Sequence, residues 1–359
     1  MKYSTEVPEL LQKALTGERL TASEGTVLLE KGELLALGHA ANAIRQRLHP
    51  QRRVTYIIDR NINYTNICAC RCRFCAFYRQ VGDTDAYIMD KNTLYKKIEE
   101  TLVVGGTELL IQGGLHPDLP LNFYVDMLRS IKARFHIHNH CFSPPEIVHF
   151  SRRSGLSITE VLARLKEAGL DSLPGGGAEI LVDRVRRIIS PNKIGWRLWM
   201  DVMDGAHRLG LKTTATMMFG HVETAAERVL HMVRVREQQD ATGGFTAFIP
   251  WSFQPRNTQL GGTVAGGVEY LKTIAVARIM LDNIPNIQAS WVTQGAKIAQ
   301  LALTFGANDF GSTMLEENVV RAAGVTYRVP LEEIHRCIAD AGFMPAQRRT
   351  DYTIIKEFD

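Results

Sequence analysis

Cysteine is scarce in this chain, six among 359 residues. That is too sparse for the disulfide framework of a small secreted protein. No secretory signal is read at its start and no lipidation signal is found. The longest uncharged stretch, Ala241–Pro255, is too short and too interrupted by glycine and proline to span a bilayer, so no membrane partner is expected. Charge of one sign is lacking too: 42 Lys+Arg against 38 Asp+Glu leave a formal +4. Basic residues gather at Arg184-Val185-Arg186-Arg187 and Arg348-Arg349, but no aromatic residues are interleaved with them as a nucleic-acid platform needs. Both clusters are read as solvated helix faces, and no nucleic-acid partner is expected. A reduced, cytoplasmic enzyme fits these absences, and 45% apolar residues supply a core.

Four of the cysteines stand together, in Cys68-Ala69-Cys70-Arg71-Cys72-Arg73-Phe74-Cys75. Cys68, Cys72 and Cys75 form a CxxxCxxC triplet. Electron-carrier cubane clusters take four thiolates; three leave one iron open to a small molecule. A structural zinc site is the alternative, but such sites draw on two separated pairs, and here every candidate lies on one loop. Cys70 falls inside the triplet and is read as a non-ligand, because residues alternating along a loop do not all face one cluster. Cys141 and Cys337 are isolated.

Residues 1–52 read as an N-terminal helical extension, with helical spacing over Pro8–Leu15, Ala22–Ala36 and Gly38–Leu48. From 53 to 345, short apolar runs alternate with amphipathic segments. The runs are Val54–Ile58, Glu108–Gln112, Phe135–His138, Leu170–Leu173, Thr213–Phe219, Phe245–Pro250, Ile287–Trp291 and Ala307–Phe310. Helical segments between them fall at 91–104, 121–133, 157–168, 195–209, 225–240, 267–283 and 295–303. Strands alternating with helices imply parallel pairing, and the closed solution is an α/β barrel of the (βα)8 TIM type, an open doubly wound sheet being the alternative. Residues 346–359 are left as a C-terminal tail.

In such barrels the site forms at the C-terminal strand ends, and here those ends are rich in glycine and polar groups. They include Gln112-Gly113-Gly114-Leu115-His116, Gly175-Gly176-Gly177-Ala178-Glu179, Gly220-His221-Val222-Glu223, Trp251 with Gln254, Trp291 with Thr293, and Asn308-Asp309. The glycine pairs let backbone approach a ligand closely. The triple glycine is equally a turn, and it is not a Walker loop, since no Gly-Lys-Ser/Thr follows.

The Cys triplet after the first barrel strand, followed by Phe77 and Tyr78, resembles the radical SAM superfamily. Asn63-Tyr64-Thr65-Asn66 before it and Cys75-Ala76-Phe77-Tyr78-Arg79 after it narrow the resemblance to the branch of FO synthase and the futalosine-pathway enzymes of menaquinone biosynthesis. Longer matching stretches include Leu110–Pro117, Asp171–Val185, Thr213–Glu223, Gly243–Gln254, Ala289–Gln294 and Gly306–Glu317. The resemblance implies a 4Fe–4S cluster on Cys68, Cys72 and Cys75, and S-adenosyl-L-methionine at its open iron. It implies SAM contacts from Tyr64, Gln112, Gly113, Gly114, Glu179 and Arg184. Leu115 stands where the family motif carries Glu, leaving backbone carbonyls for the methionine amine. It further implies dehypoxanthine futalosine as substrate and an external electron donor such as flavodoxin or ferredoxin. Aminofutalosine synthase or FO synthase chemistry is the alternative. Substrate contacts are then expected from Arg79, His116, Trp251, Gln254, Trp291, Thr293, Asn308 and Asp309. Arg79 is alternatively a salt bridge on the cysteine loop. His221 and Glu223 are expected as catalytic groups that take the final proton or hold ribose hydroxyls, with helix capping as the alternative for Glu223.

Overall fold

The computed structural model describes residues 6–358, so residues 1–5 of the expected extension and residue 359 of the tail lie outside the described residues. Three helices open the chain: α1 (Glu6–Thr16), α2 (Ala22–Lys31) and α3 (Leu34–Leu48). A capping box of Thr21 and Glu24 starts α2. Its end falls at Gly32, not at Ala36 as the periodicity suggests. A Cβ there would meet the Leu28 carbonyl at 2.4 Å. Gly38, read as the start of the third helix, instead lies inside α3 and makes room for the Phe305 ring, 2.6 Å from where its Cβ would stand.

The alternating region follows as β1 (Arg53–Ile57), β2 (Asp59–Asn63), α4 (Lys91–Val103), β3 (Glu108–Gln112), α5 (Leu121–Lys132), β4 (His138–Cys141), α6 (Pro144–Ser154), α7 (Ile158–Ala168) and β5 (Ser172–Leu173). It continues with α8 (Asp183–Ile189), α9 (Trp196–Arg208), β6 (Lys212–Phe219), α10 (Ala225–Thr242), β7 (Phe245–Ser252), α11 (Gly267–Met280), β8 (Asn286–Ile287), α12 (Trp291–Ala302) and β9 (Asp309–Ser312). The chain ends with α13 (Val319–Ala322), α14 (Leu331–Asp340), β10 (Met344–Arg348) and β11 (Ile354–Glu357).

Strands β2 to β8 form one parallel sheet in sequence order, curled into a half-barrel. The second sheet runs β11-β10-β1-β9. Two links join the sheets: β1 passes into β2 across Ile58, and a parallel bridge pairs Gln288 with Asp309. The result is the expected α/β architecture of TIM-barrel type. Several of its strands differ in position from the expected runs. The first run is β1, and a further strand, β2, follows it directly. The third strand is His138–Cys141, displaced past Phe135–His138. The seventh ends at Ile287, and Trp291 begins a helix. The eighth is Asp309–Ser312, two residues past Ala307–Phe310. Residues 344–348 pair with β1, and β11 returns antiparallel on them. The N-terminal helices pack on the same body, α2 against α10 and α3 against α11.

The interior is unusual in chemistry. TIM-type barrels are commonly filled by branched apolar side chains. Here Asp59, Asn61, Glu108, His140, Thr216 and Arg348 help line a cavity of about 280 Å³. The apolar side chains of the same strands, such as Leu109 and Ile111, are fully buried in the main core.

Candidate active site

The cysteine loop leaves β2 and is pinned on several sides. Cys68 N–H donates to the Arg79 carbonyl at 3.0 Å, Ala69 N–H to Leu115 at 2.9 Å, and Arg73 N–H to Ile189 at 2.8 Å. Arg79 closes the loop from outside, its guanidinium on Asp85 at 2.7 Å and on the carbonyls of Ala76, Phe77 and Tyr78. Its charge is thereby committed to the loop, as the salt-bridge alternative has it. The thiols of Cys68, Cys70 and Cys72 lie together. Cys70 thus sits among the triplet's thiols, because Arg71 takes a left-handed φ of 47° and folds the loop back on itself; its reading as a non-ligand rests on the CxxxCxxC spacing alone. Hydrogen bonding with Cys70 brings Cys68 down to about 6 and lowers Cys72, while burial raises Cys75 to about 11.

Glycines make this packing possible. A Cβ on Gly114 would stand 2.2 Å from the Ile67 carbonyl oxygen, and one on Gly113 2.4 Å from the Tyr64 ring. The space freed by both residues is used by the protein's own loop. Tyr64 is buried and donates its hydroxyl to Glu146 at 2.6 Å; Glu146 also accepts from Gly113 N–H at 3.1 Å. The triple glycine is packed as well, Gly176 against Gln112 and Gly177 against Pro145. Gln112 lines the cavity beside it.

Glu179 lines the same cavity, held at a left-handed φ of 43° by Lys193 at 2.9 Å and Arg186 at 3.4 Å. Arg186 is 3% exposed and donates to the carbonyls of Gly177, Ala178 and Ile194. One member of the basic run read as a solvated face thus fixes the glycine turn. Arg184, its neighbour, points outward to Glu227 and the Val222 carbonyl. Lys193 joins the two halves of the site, because its charge also reaches Cys72 and Cys70.

Trp251, Trp291 and Thr293 line the cavity. Trp291 donates its indole N–H to Ser312 at 2.8 Å, which sets the ring plane. A smaller space of about 40 Å³ lies between Cys75 and Trp251, with Phe74, Met218 and Gln254 around it. The remaining expected residues stand elsewhere. His221 bonds the Met218 carbonyl and Val222 N–H, and Glu223 holds Gly220 N–H and Arg228. Both side chains are fully covered at the turn after β6; Thr224 and Glu227 cap the helix that follows, and Glu223 braces the turn before it instead. His116 accepts from Asp118 N–H and lies off the cavity. Asn308 binds Arg278, Asn286 and Ile287 N–H. Asp309 binds Arg348 through both oxygens, at 2.5 and 3.1 Å. Arg348, the second supposed solvent-facing basic residue, is a buried ion-pair partner on β10 because alternation along a strand turns it inward.

Several cavity residues escaped the sequence reading. Asp59 and Glu108 are register partners on adjacent strands; burial lifts Asp59 to about 7 and raises Glu108. His140 lines the cavity, and burial holds it down to about 3, neutral at ordinary pH. The signal for it was present, since His136, His138 and His140 alternate with period two.

The donor set suits an iron–sulfur cluster. Among the described residues no three His, Cys, Asp or Glu groups converge on a single ion. A cubane instead asks for one thiolate per iron, donors spread around a volume, and three thiols on one pinned loop beside an open space meet that requirement.

Comparison with known proteins agrees. Residues 62–234 match the radical SAM superfamily and residues 242–358 match the CofH/MqnC C-terminal region. A protein of Halalkalibacterium halodurans named cyclic dehypoxanthine futalosine synthase is 49% identical, over 98% of this chain and 95% of its own. One of the same name from Streptomyces coelicolor is 43% identical, over 98% and 90%. A 5-amino-6-(D-ribitylamino)uracil–L-tyrosine 4-hydroxyphenyl transferase of Methanococcoides burtonii is 42% identical, over 97% and 99%. In fold, the crystal structure of methylornithine synthase superposes with a TM-score of 0.73 at 19% identity, covering 94% of this chain and 97% of that one.

Proposed function

From the premise that this chain belongs to the radical SAM superfamily, in the branch with the CofH/MqnC C-terminal region, we propose that it cyclises dehypoxanthine futalosine to cyclic dehypoxanthine futalosine, a step of menaquinone biosynthesis. The observation that carries this reading is the near full-length identity with two proteins of that activity's name. As a radical SAM enzyme it uses a 4Fe–4S cluster and S-adenosyl-L-methionine. Bound together and reduced by an external one-electron donor, they supply the 5′-deoxyadenosyl radical that removes hydrogen from ribose C4′. The resulting carbon radical adds to the benzoate ring, and loss of a proton and an electron restores aromaticity.

The protein's part is to position and to exclude. Cys68, Cys72 and Cys75 would hold the cluster, with Lys193 behind them offsetting thiolate charge. Gln112, Gly176, Gly177 and Glu179 border the space for SAM, while Gly113 and Gly114 seat the cysteine loop beside it. Trp251 and Trp291 offer flat faces for the aryl or adenine ring, and Thr293, Asn61 and Thr216 offer hydrogen bonds to ribose. A primary alkyl radical attacks most C–H bonds, so an enclosed cavity serves selectivity better than a strong base would.

The experiment is anaerobic turnover with SAM and a reductant, on dehypoxanthine futalosine and, separately, on 5-amino-6-(D-ribitylamino)uracil with tyrosine. Product lighter than dehypoxanthine futalosine by two hydrogens supports the cyclase. Coupled product from the second pair alone favours the transferase reading, which the Methanococcoides burtonii relative keeps in view.

A further inference from the structure

The cyclisation needs an acceptor for the proton that leaves the ring, and the groups that line the cavity narrow the choice. Glu179 is neutralised by Lys193 and Arg186. Glu317 is occupied by the N–H groups of Val319, Val320 and Arg321. His221 and Glu223 lie off the cavity, bound to their own turn. Asp59 and Glu108 also line the cavity, but each is held by a hydroxyl, Asp59 by that of Ser312 and Glu108 by that of Thr350. His140 stands at the head of a connected chain.

His140 Nδ1 lies 2.6 Å from Ser172 Oγ, and His138 Nε2 lies 2.7 Å from the same oxygen. One hydroxyl has one proton, so it donates to one imidazole and accepts N–H from the other. The two ring tautomers are therefore locked together, and reversing the hydroxyl moves a proton from one ring to the other. His140 Nε2 has no hydrogen-bond partner among the described residues and belongs to a cavity-lining side chain. His138, by contrast, is only half-buried, so the chain leads from the cavity toward solvent. Strand register builds this line: His140 pairs with Ser172, and Glu108 pairs with His138. The charged groups facing His138 are Glu108, Asp171, Lys132 and Asp351, so three carboxylates stand near the point where a proton emerges.

We propose that His140, Ser172 and His138 form a proton relay that carries the ring proton from the cavity to the N-terminal end of the barrel. The role rests on the cyclase reading. The ring C–H bond breaks and its proton goes to His140 Nε2. The Nδ1 proton passes to Ser172 Oγ, the hydroxyl proton to His138 Nε2, and the His138 Nδ1 proton to solvent. The C–H electron pair stays to restore the aromatic sextet, and the unpaired electron would leave to a one-electron acceptor of the iron–sulfur class, which Cys68, Cys72 and Cys75 would hold. His140 is the catalytic residue; Ser172 and His138 act through it.

The test compares reconstituted wild-type enzyme with Ser172→Ala, His138→Gln and His140→Gln, measuring 5′-deoxyadenosine and cyclic product in the same reaction. A relay predicts that 5′-deoxyadenosine release stays within about twofold while product falls at least ~10-fold, the lower range for removing acid–base help. The ratio of the two therefore rises in all three variants. A merely structural role lowers both together. His138→Gln keeps a partner for Ser172 and covers the case in which Ser172→Ala folds poorly. A wild-type ratio in Ser172→Ala and His138→Gln overturns the relay alone. Wild-type enzyme that makes no cyclic product overturns the cyclase reading and the relay with it.

Discussion

The Tyr64 hydroxyl donates to the Glu146 carboxylate across 2.6 Å, and the same carboxylate oxygen receives the Gly113 N–H at 3.1 Å. One buried acid on α6 thus ties the strand that leads into the cysteine loop to the glycine pair behind it. Burial raises Glu146 to about 7. A carboxyl raised in the folded state stabilises the fold fully below its unfolded value near 4.5, and loses that contribution as pH climbs through about 7. Unfolding by urea at pH 5 and pH 8 should show stability falling by an amount on the order of a few kcal/mol, and Glu146→Gln should shrink the difference, leaving the share that Asp59 and Glu108 contribute. An unchanged pH dependence in the variant would remove Glu146 from this role.

Gly114→Ala should dislodge the cysteine loop. Its Cβ would stand 2.2 Å from the Ile67 carbonyl oxygen and 2.9 Å from Cys68 Cβ, and backbone on one side cannot yield as a flexible side chain can. Bound iron and the melting temperature should both fall. Iron content equal to wild type would mean that the loop shifts without cost.

Asp309→Asn should destabilise strongly, because it leaves Arg348 buried with one carboxylate partner gone. Breaking a buried pair on one side costs roughly 3–5 kcal/mol, read as a lower urea midpoint with unchanged slope. Asp309 is also a substrate candidate by resemblance. A variant of near-normal stability with a large rise in the substrate KM would favour that reading over the structural one.

Arg184→Ala separates two readings of another residue. The Arg184–Glu227 pair is half-exposed on the arginine side, so solvent screens it; removing it should barely move the melting temperature and leave the KM for SAM unchanged. A several-fold higher KM for SAM would restore Arg184 to the cofactor site.

The alternation of strands and helices was legible because it follows from period and spacing, and the cysteine triplet because it needs no folding to be seen. Errors arose where a strand faces inward onto a polar cavity. Asn139 and His140 look like loop residues by composition, so the third expected run stops at His138, where β4 in fact begins. Arg348 was misread for the same reason: two adjacent arginines suggest solvent, yet on a strand one of them turns inward to Asp309. His221, Glu223 and Asn308 sit at expected strand ends, but sequence position does not fix side-chain direction, and each is spent on its own backbone surroundings. Cys70 shows the converse, since the left-handed Arg71 defeats simple alternation.

The most direct test of the account follows one atom. Reconstituted enzyme is given dehypoxanthine futalosine deuterated at ribose C4′, and 5′-deoxyadenosine is analysed by mass spectrometry. The account predicts deuterium in its 5′-methyl group, in step with cyclic product, and loss of both in Cys68→Ala, Cys72→Ala and Cys75→Ala but not in Cys70→Ala. Undeuterated 5′-deoxyadenosine with unchanged substrate would contradict it.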